Sequence, residues 1–144
     1  MQRGPRGLEV LGTGVIGADP RLPLDARLAR IYEGTIEILD AFAPAMVVLE
    51  DLYAEYKFPR TAILMAHARG VICLAARQRG IALMTLAPAT VKRAIAASGA
   101  ASKEQIQISV QRLLKLTRPP CPSHVADALA LALTGFSRAG APLG

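Results

Sequence analysis

Apolar and polar positions change period several times along the chain, and each change predicts an element. Leu8–Ile16 (LEVLGTGVI) is a β-rich run that follows the turn-like segment Arg3–Gly7, so it reads as a strand. After a loop marked by Asp19-Pro20 and Pro23, Leu28, Ile31, Tyr32, Thr35, Leu39 and Phe42 recur at spacings of three and four. That period predicts a helix over about Asp25–Phe42, stopped by Pro44. Met46–Leu49 is an unbroken apolar run, the pattern of a strand covered on both faces.

Thr61–Arg77 reads as a second helix that is apolar almost all round, with Ile63, Leu64, Met65, Val71, Ile72, Cys73 and Leu74. A helix without a polar face is covered on two sides, of which one can be the sheet and the other a second subunit. Gly70 in its middle is costly relative to Ala, and close backbone packing is the expected reason. Ile81–Leu86 is a further short strand, and Pro88–Ala96 a brief helix closed by a Ser98-Gly99 turn. Ser102 and Gln105 fit a capping box that opens a helix to about Leu116. Ser123 is placed to cap a last helix whose buried stripe is Val125, Ala128, Leu129, Ala132, Leu133 and Phe136. Strands alternating with helices predict an α/β layered fold, and the length suits one domain over residues 1–144.

Composition narrows the class. With 52% hydrophobic and 19% charged residues the 144-residue chain can bury a core, and with only six aromatics that core is aliphatic. Cys73 and Cys121 stand far apart with no CxxC or Cys/His cluster, which excludes a disulfide scaffold and the usual zinc sites and fits a reducing cytosol. The longest apolar stretches are broken by Pro44, His67, Arg69 or Pro88 before they reach bilayer length, and no signal-peptide core follows Arg3 and Arg6. A cytoplasmic protein without a membrane partner is expected.

The net charge of +6 is unevenly spread. Residues 1–55 carry five Arg against nine acids, a net of −4; residues 56–144 carry twelve bases against Glu104 and Asp127, a net of +10. A basic C-terminal part suits a polyanion such as nucleic acid, or is a solvated surface of an Arg-rich proteome.

Glu50 and Asp51 follow the Met46–Leu49 strand directly, and ligands of open α/β sheets bind outside the carboxyl ends of strands. The bland role, solubilising the strand end, suits Asp51 better than Glu50. His124 and Asp127 lie three apart at the start of the last helix, hence on one face. A carboxylate there complements the helix dipole, but an imidazolium does not. Glu50 with His-x-x-Asp makes a weak signal for Mg²⁺ or Mn²⁺, which favour oxygen ligands and tolerate an imidazole.

The segment Asp51–Arg60 gathers Tyr53, Tyr56 and Phe58, half of the aromatics in the chain. Aromatics beside cations hold unstacked bases, though at least one of the three is expected simply to pack the loop down. Lys92, Arg93 and Lys103 flank the Ser98-Gly99 turn, either as a phosphate-binding rim or as ordinary exposed helix residues.

VVLEDLY (Val47–Tyr53), PRTAILMAHARGVICLAA (Pro59–Ala76), APATVKRAI with ASKEQIQ (Ala87–Gln107) and HVADALALAL (His124–Leu133) together resemble the RuvC-type Holliday-junction resolvases, in order, from about Leu8 to Phe136. The resemblance implies a ribonuclease-H-like mixed sheet with flanking helices, and a homodimer. It implies a hydrolytic, metal-dependent crossover junction endodeoxyribonuclease acting on four-way DNA in recombination and repair. Mg²⁺ is the implied cofactor, with Mn²⁺ as the alternative, and the branch-migration proteins RuvA and RuvB are implied partners. Glu50 then matches the strand-end glutamate, Asp127 the last carboxylate, and His124 a position that carries Asp or His. Tyr53 falls where an aromatic stacks at the junction, Lys92 and Lys103 match basic positions near the scissile phosphate, and the Thr61–Arg77 helix becomes the dimer element.

One departure stands out. Members open with a strand carrying a first catalytic aspartate in a GxDPG-like setting, followed by a second strand, and this chain resembles them only from the third strand onward. Asp19 in VIGADP (Val15–Pro20) is not assigned that role, because Val15 and Ile16 align with the end of the third strand and Pro20 is not followed by Gly. The expectation is a fold lacking its first two strands and, as the alternative function, a non-catalytic junction-binding or dimerisation module.

Overall fold

The structure is a computed structural model that describes residues 1–5, 7–52 and 59–140. Its elements are β1 (Gln2–Gly4), β2 (Gly7–Glu9), α1 (Leu24–Phe42), β3 (Met46–Glu50), α2 (Pro59–Gln78), β4 (Ala82–Leu86), α3 (Pro88–Ala96), α4 (Lys103–Leu113) and α5 (Ser123–Arg138). They fall into two compact units, Ile16–Thr85 and Met1–Val15 with Leu86–Gly144.

In the Ile16–Thr85 unit, α1 packs against α2, and β3 pairs with β4. Proline sets the limits of α1. Pro23 is its N-cap, and Pro44 disfavours helical geometry at Ala43, which turns left-handed (φ 41°) while its N–H donates to the Leu39 carbonyl at 2.9 Å. Thr35 and Leu39 of α1, with Ala75 and Ala76 of α2, are buried. The Thr35 hydroxyl is satisfied by the Ile31 carbonyl at 2.7 Å, the usual way a helix buries a threonine. The end of α2 is tied to α1 by Tyr32 Oη, from the middle of α1, donating to Gln78 Oε1, and by an ion pair from Arg79, just past α2, to Asp40.

Two expectations change here. β3 is half-buried from Met46 to Leu49 rather than covered on both faces, because β4 is its one paired neighbour among the described residues. At Gly70 nothing lies within 4 Å of where a Cβ would sit, so close backbone packing within this chain does not explain that glycine. α2 buries Ala75 and Ala76, while Ile63 (58%) and Leu74 (52%) remain open.

In the other unit, β1 and β2 form an antiparallel hairpin in which Gln2 faces Glu9 and Gly4 faces Gly7. The strand expected over Leu8–Ile16 therefore stops at Glu9, and Arg3 and Gly4 are strand rather than turn. Leu11, Val15 and Ile16 have strand-like composition but are exposed. A strand forms only where a neighbour takes up its N–H and C=O groups, and composition alone does not supply one.

Helices α3, α4 and α5 pack against one another around Val91, Ile95, Ile106, Val110, Leu129 and Leu133. The capping box is formed as predicted: Ser102 Oγ accepts from Gln105 N at 3.2 Å and Gln105 Oε1 accepts from Ser102 N at 2.8 Å. α4 ends at Leu113, earlier than predicted, since Lys115 turns left-handed (φ 52°). Gln107 and Gln111 then hold the connector through the Pro120 and Leu116 carbonyls at 3.0 and 3.3 Å. α5 differs in two respects. Pro122, not Ser123, is the N-cap, and the buried stripe is Ala126, Leu129, Ala130, Leu133 and Thr134, rotated from the predicted one so that Ala128 is exposed. Among the described residues no helix is long and apolar enough to cross a membrane.

Candidate active site

Glu50 is the last residue of β3 and is exposed. The apolar run Met46–Leu49 fixes the strand, and the first carboxylate appears where the strand leaves the layer. Asp51 follows, and its Oδ1 accepts from the Leu52 N–H at 3.0 Å, a local turn contact that agrees with its blander role. Both residues meet Arg69, which comes from the middle of α2. Its Nε donates to the Glu50 main-chain oxygen at 3.3 Å, and its Nη2 lies 3.8 Å from Asp51 Oδ1. The same Nη2 donates to Thr85 Oγ1 on β4 at 2.9 Å. One guanidinium thus touches the last residue of β3 and the penultimate residue of β4. These are paired neighbours joined through a 20-residue helix, so the two strands run the same way.

In the other unit, His124 and Asp127 both lie in the first turns of α5 and both are exposed. Burial of Ala126, Leu129, Ala130 and Leu133 on one face of α5 turns positions 124, 127 and 128 to the opposite one. The pair is brought together as its spacing predicts, an imidazole and a carboxylate one helical turn apart.

The basic positions belong to the same unit. Lys92 is half-buried and Arg93 exposed on α3, while Lys103 is the exposed first residue of α4. A side chain added at Gly99 would meet Arg93 Nη2 at 3.6 Å, so the Arg93 guanidinium lies beside that turn. Glu104, next to Lys103, is held below the ordinary carboxylate range by its own backbone N–H and by the Ser102 hydroxyl, which keeps a fixed negative charge at the start of α4.

Tyr53, Tyr56 and Phe58 lie outside the described residues. Asp19 is occupied locally: its carboxylate takes Arg21 Nε and Nη2 at 2.7–3.1 Å and the Arg21 N–H at 2.9 Å. Among the described residues there is no group of three or more His, Cys, Asp or Glu side chains gathered as for a metal ion. The chemistry of the set Glu50, His124 and Asp127, two carboxylates and one imidazole, all exposed, nonetheless suits Mg²⁺ or Mn²⁺ rather than a thiolate-seeking metal.

A sequence model of the family described as "Crossover junction endodeoxyribonuclease RuvC" matches residues 1–135. This chain belongs to the RuvC family. It is 42% identical over 142 residues to the RuvC of Rhodopirellula baltica, covering 99% of this chain and 79% of that one. It is 41% identical over 115 residues to the RuvC of Desulforamulus reducens, covering 80% and 70%. Among solved structures, Thermus thermophilus RuvC superposes with a TM-score of 0.81 at 35% identity, over 90% of this chain and 79% of that one. The structure titled as T. thermophilus RuvC in complex with Holliday junction substrate superposes with a TM-score of 0.87 at 33% identity, over 97% and 86%. The α/β fold is therefore the ribonuclease-H-like fold of RuvC, and the family is one of enzymes.

Arg69 was not among the predicted site residues. The signal available for it was an arginine amid the apolar residues of α2, read, with His67, only as a break in the hydrophobic run.

Proposed function

We propose that this RuvC-family chain resolves four-way DNA junctions by metal-dependent hydrolysis of phosphodiester bonds, working as one nuclease domain. The observation that carries the reading is its likeness, over 97% of its length, to a RuvC solved with a Holliday junction substrate. The family match over residues 1–135 favours an enzyme over a non-catalytic binding module.

Glu50, His124 and Asp127 would hold the cation, Mg²⁺ or Mn²⁺. When bound, such an ion supplies positive charge that lowers the pKa of the attacking water and stabilises the leaving 3′ oxygen. Glu50 offers its carboxylate from the end of a paired strand, and α5 offers His124 and Asp127 together from a helix whose opposite face is anchored in the core. Lys92, Arg93 and Lys103 would grip backbone phosphates around the scissile position, and Tyr53, with Tyr56 and Phe58, would stack on bases opened at the branch point. Contacts of this kind fix register on the backbone and leave shape to select the junction.

A four-way junction has two-fold related arms, which suits a homodimer with two sites. Exposed Ile63 and Leu74, which share one face of α2, support that assembly. Cooperation with RuvA and RuvB and a cytoplasmic location complete the proposal.

Gel shift in Ca²⁺ tests the recognition step: a synthetic four-way junction should be bound in preference to linear duplex of the same sequence, and Lys92→Ala with Lys103→Ala should weaken binding and flatten its salt dependence. Equal affinity for duplex and junction would count against junction resolution.

A further inference from the structure

Glu50 ends β3, and its main chain is held by Arg69 of α2. The Arg69 side chain is only 26% exposed, against 55% for Asp51, and its three nitrogens reach in different directions. Nε donates to the Glu50 carbonyl at 3.3 Å, Nη2 donates to Thr85 Oγ1 at 2.9 Å and stands 3.8 Å from Asp51 Oδ1, and Nη1 approaches Cys73 Sγ at 3.9 Å, one turn along the same helix.

We infer that Arg69 is a positioning residue that sets the Glu50 carboxylate by clamping the ends of β3 and β4 through a single guanidinium. The inference rests on the reading of Glu50 as a metal-holding residue. A bond to the main-chain oxygen of Glu50 fixes the peptide plane after it, and with it the direction of its Cα–Cβ bond. The Thr85 bond anchors the guanidinium to the neighbouring strand, and α2 supplies the third support. Only a planar, permanently charged group with five donors makes these contacts at once, so Lys is not an equivalent here.

Supporting residues behind metal ligands commonly change metal affinity or activity by about 10–100-fold when removed. The test uses the full chain without DNA and reads Mn²⁺ affinity by electron paramagnetic resonance, alongside thermal unfolding and junction affinity in Ca²⁺. Glu50→Gln, Arg69→Gln, Arg69→Lys and Thr85→Val are compared with the unsubstituted chain. Arg69→Gln is expected to weaken Mn²⁺ binding by about 10–100-fold. Arg69→Lys should recover little of this although the charge is kept, and Thr85→Val, at an exposed position, should give a smaller loss in the same direction. Junction affinity should not change.

If Glu50→Gln leaves Mn²⁺ binding intact, or the unsubstituted chain binds none, the assignment of Glu50 itself fails. If Glu50→Gln abolishes binding while Arg69→Gln and Thr85→Val retain it, only the positioning role fails. A loss confined to junction affinity would make Arg69 a phosphate contact and overturn the inference as well. Should Arg69→Gln not fold, Thr85→Val decides: unchanged Mn²⁺ affinity there rejects the clamp.

Discussion

Arg79 closes a two-pronged ion pair on Asp40, Nε to Oδ1 at 2.6 Å and Nη2 to Oδ2 at 2.8 Å, joining the end of α1 to the turn that follows α2. The pair is bidentate, which gives it more geometric definition than an ordinary surface contact. Hydrogen bonds from Arg79 hold the Asp40 carboxyl below its ordinary value, and the same pair raises Arg79.

The sign of the pH effect follows from that depression. An Asp whose folded-state pKa is lowered stabilises the fold above its unfolded value and loses that contribution as the pH falls through the folded one. Asp40→Asn should therefore melt slightly below the unsubstituted chain, by a constant margin above about pH 5, and the margin should close as the pH drops below the ordinary Asp value of 3.8. Both partners are substantially exposed, so the margin should also shrink in high salt. Thermal melts of the two chains across pH check both statements.

Gly70 lies inside α2 with open space where a Cβ would point. Gly70→Ala should stabilise the chain by about 0.5–1 kcal/mol, the cost of glycine in a helix interior. Denaturant unfolding measures it. A loss of stability that grows with protein concentration would mean instead that a second subunit approaches the helix there.

Leu133 is 1% exposed, on the face of α5 opposite His124 and Asp127. Leu133→Ala should cost about 2–5 kcal/mol through lost burial and the cavity left behind. His124→Ala and Asp127→Asn, at exposed positions, should leave the unfolding midpoint nearly unchanged while reducing metal-dependent cleavage. The contrast separates what anchors the helix from what the helix presents.

Ser102→Ala removes one half of the capping box and should destabilise α4 by about 1 kcal/mol. It also removes a hydroxyl that helps to hold Glu104 low, so the Glu104 carboxyl should titrate closer to its ordinary value. Carboxyl-carbon NMR titration of the two chains reads this directly.

Much of this fold was legible in the sequence for local reasons. Pro23, Pro44 and Pro88 bound α1 and α3 because proline restricts its own φ and its neighbour's, and the Ser102–Gln105 box declares itself by spacing. What failed depended on partners remote in the chain. Leu8–Ile16 has the composition of a strand, yet beyond Glu9 no strand forms, since pairing is a property of two segments. The α5 stripe was rotated because its alanines fit either face. Glu50, His124 and Asp127 could be singled out from their place at element ends, but Arg69 works through a main-chain oxygen and a hydroxyl from another strand, and such contacts leave no spacing to read.

The most direct measurement is cleavage of an end-labelled synthetic four-way junction by the full chain in Mg²⁺ or Mn²⁺, with the nicks mapped on all four strands and Glu50→Gln as the control. Junction resolution by this chain predicts paired nicks at symmetric positions on opposing strands, abolished by that substitution. A junction left intact by the unsubstituted chain, or nicks that persist in Glu50→Gln, would contradict it.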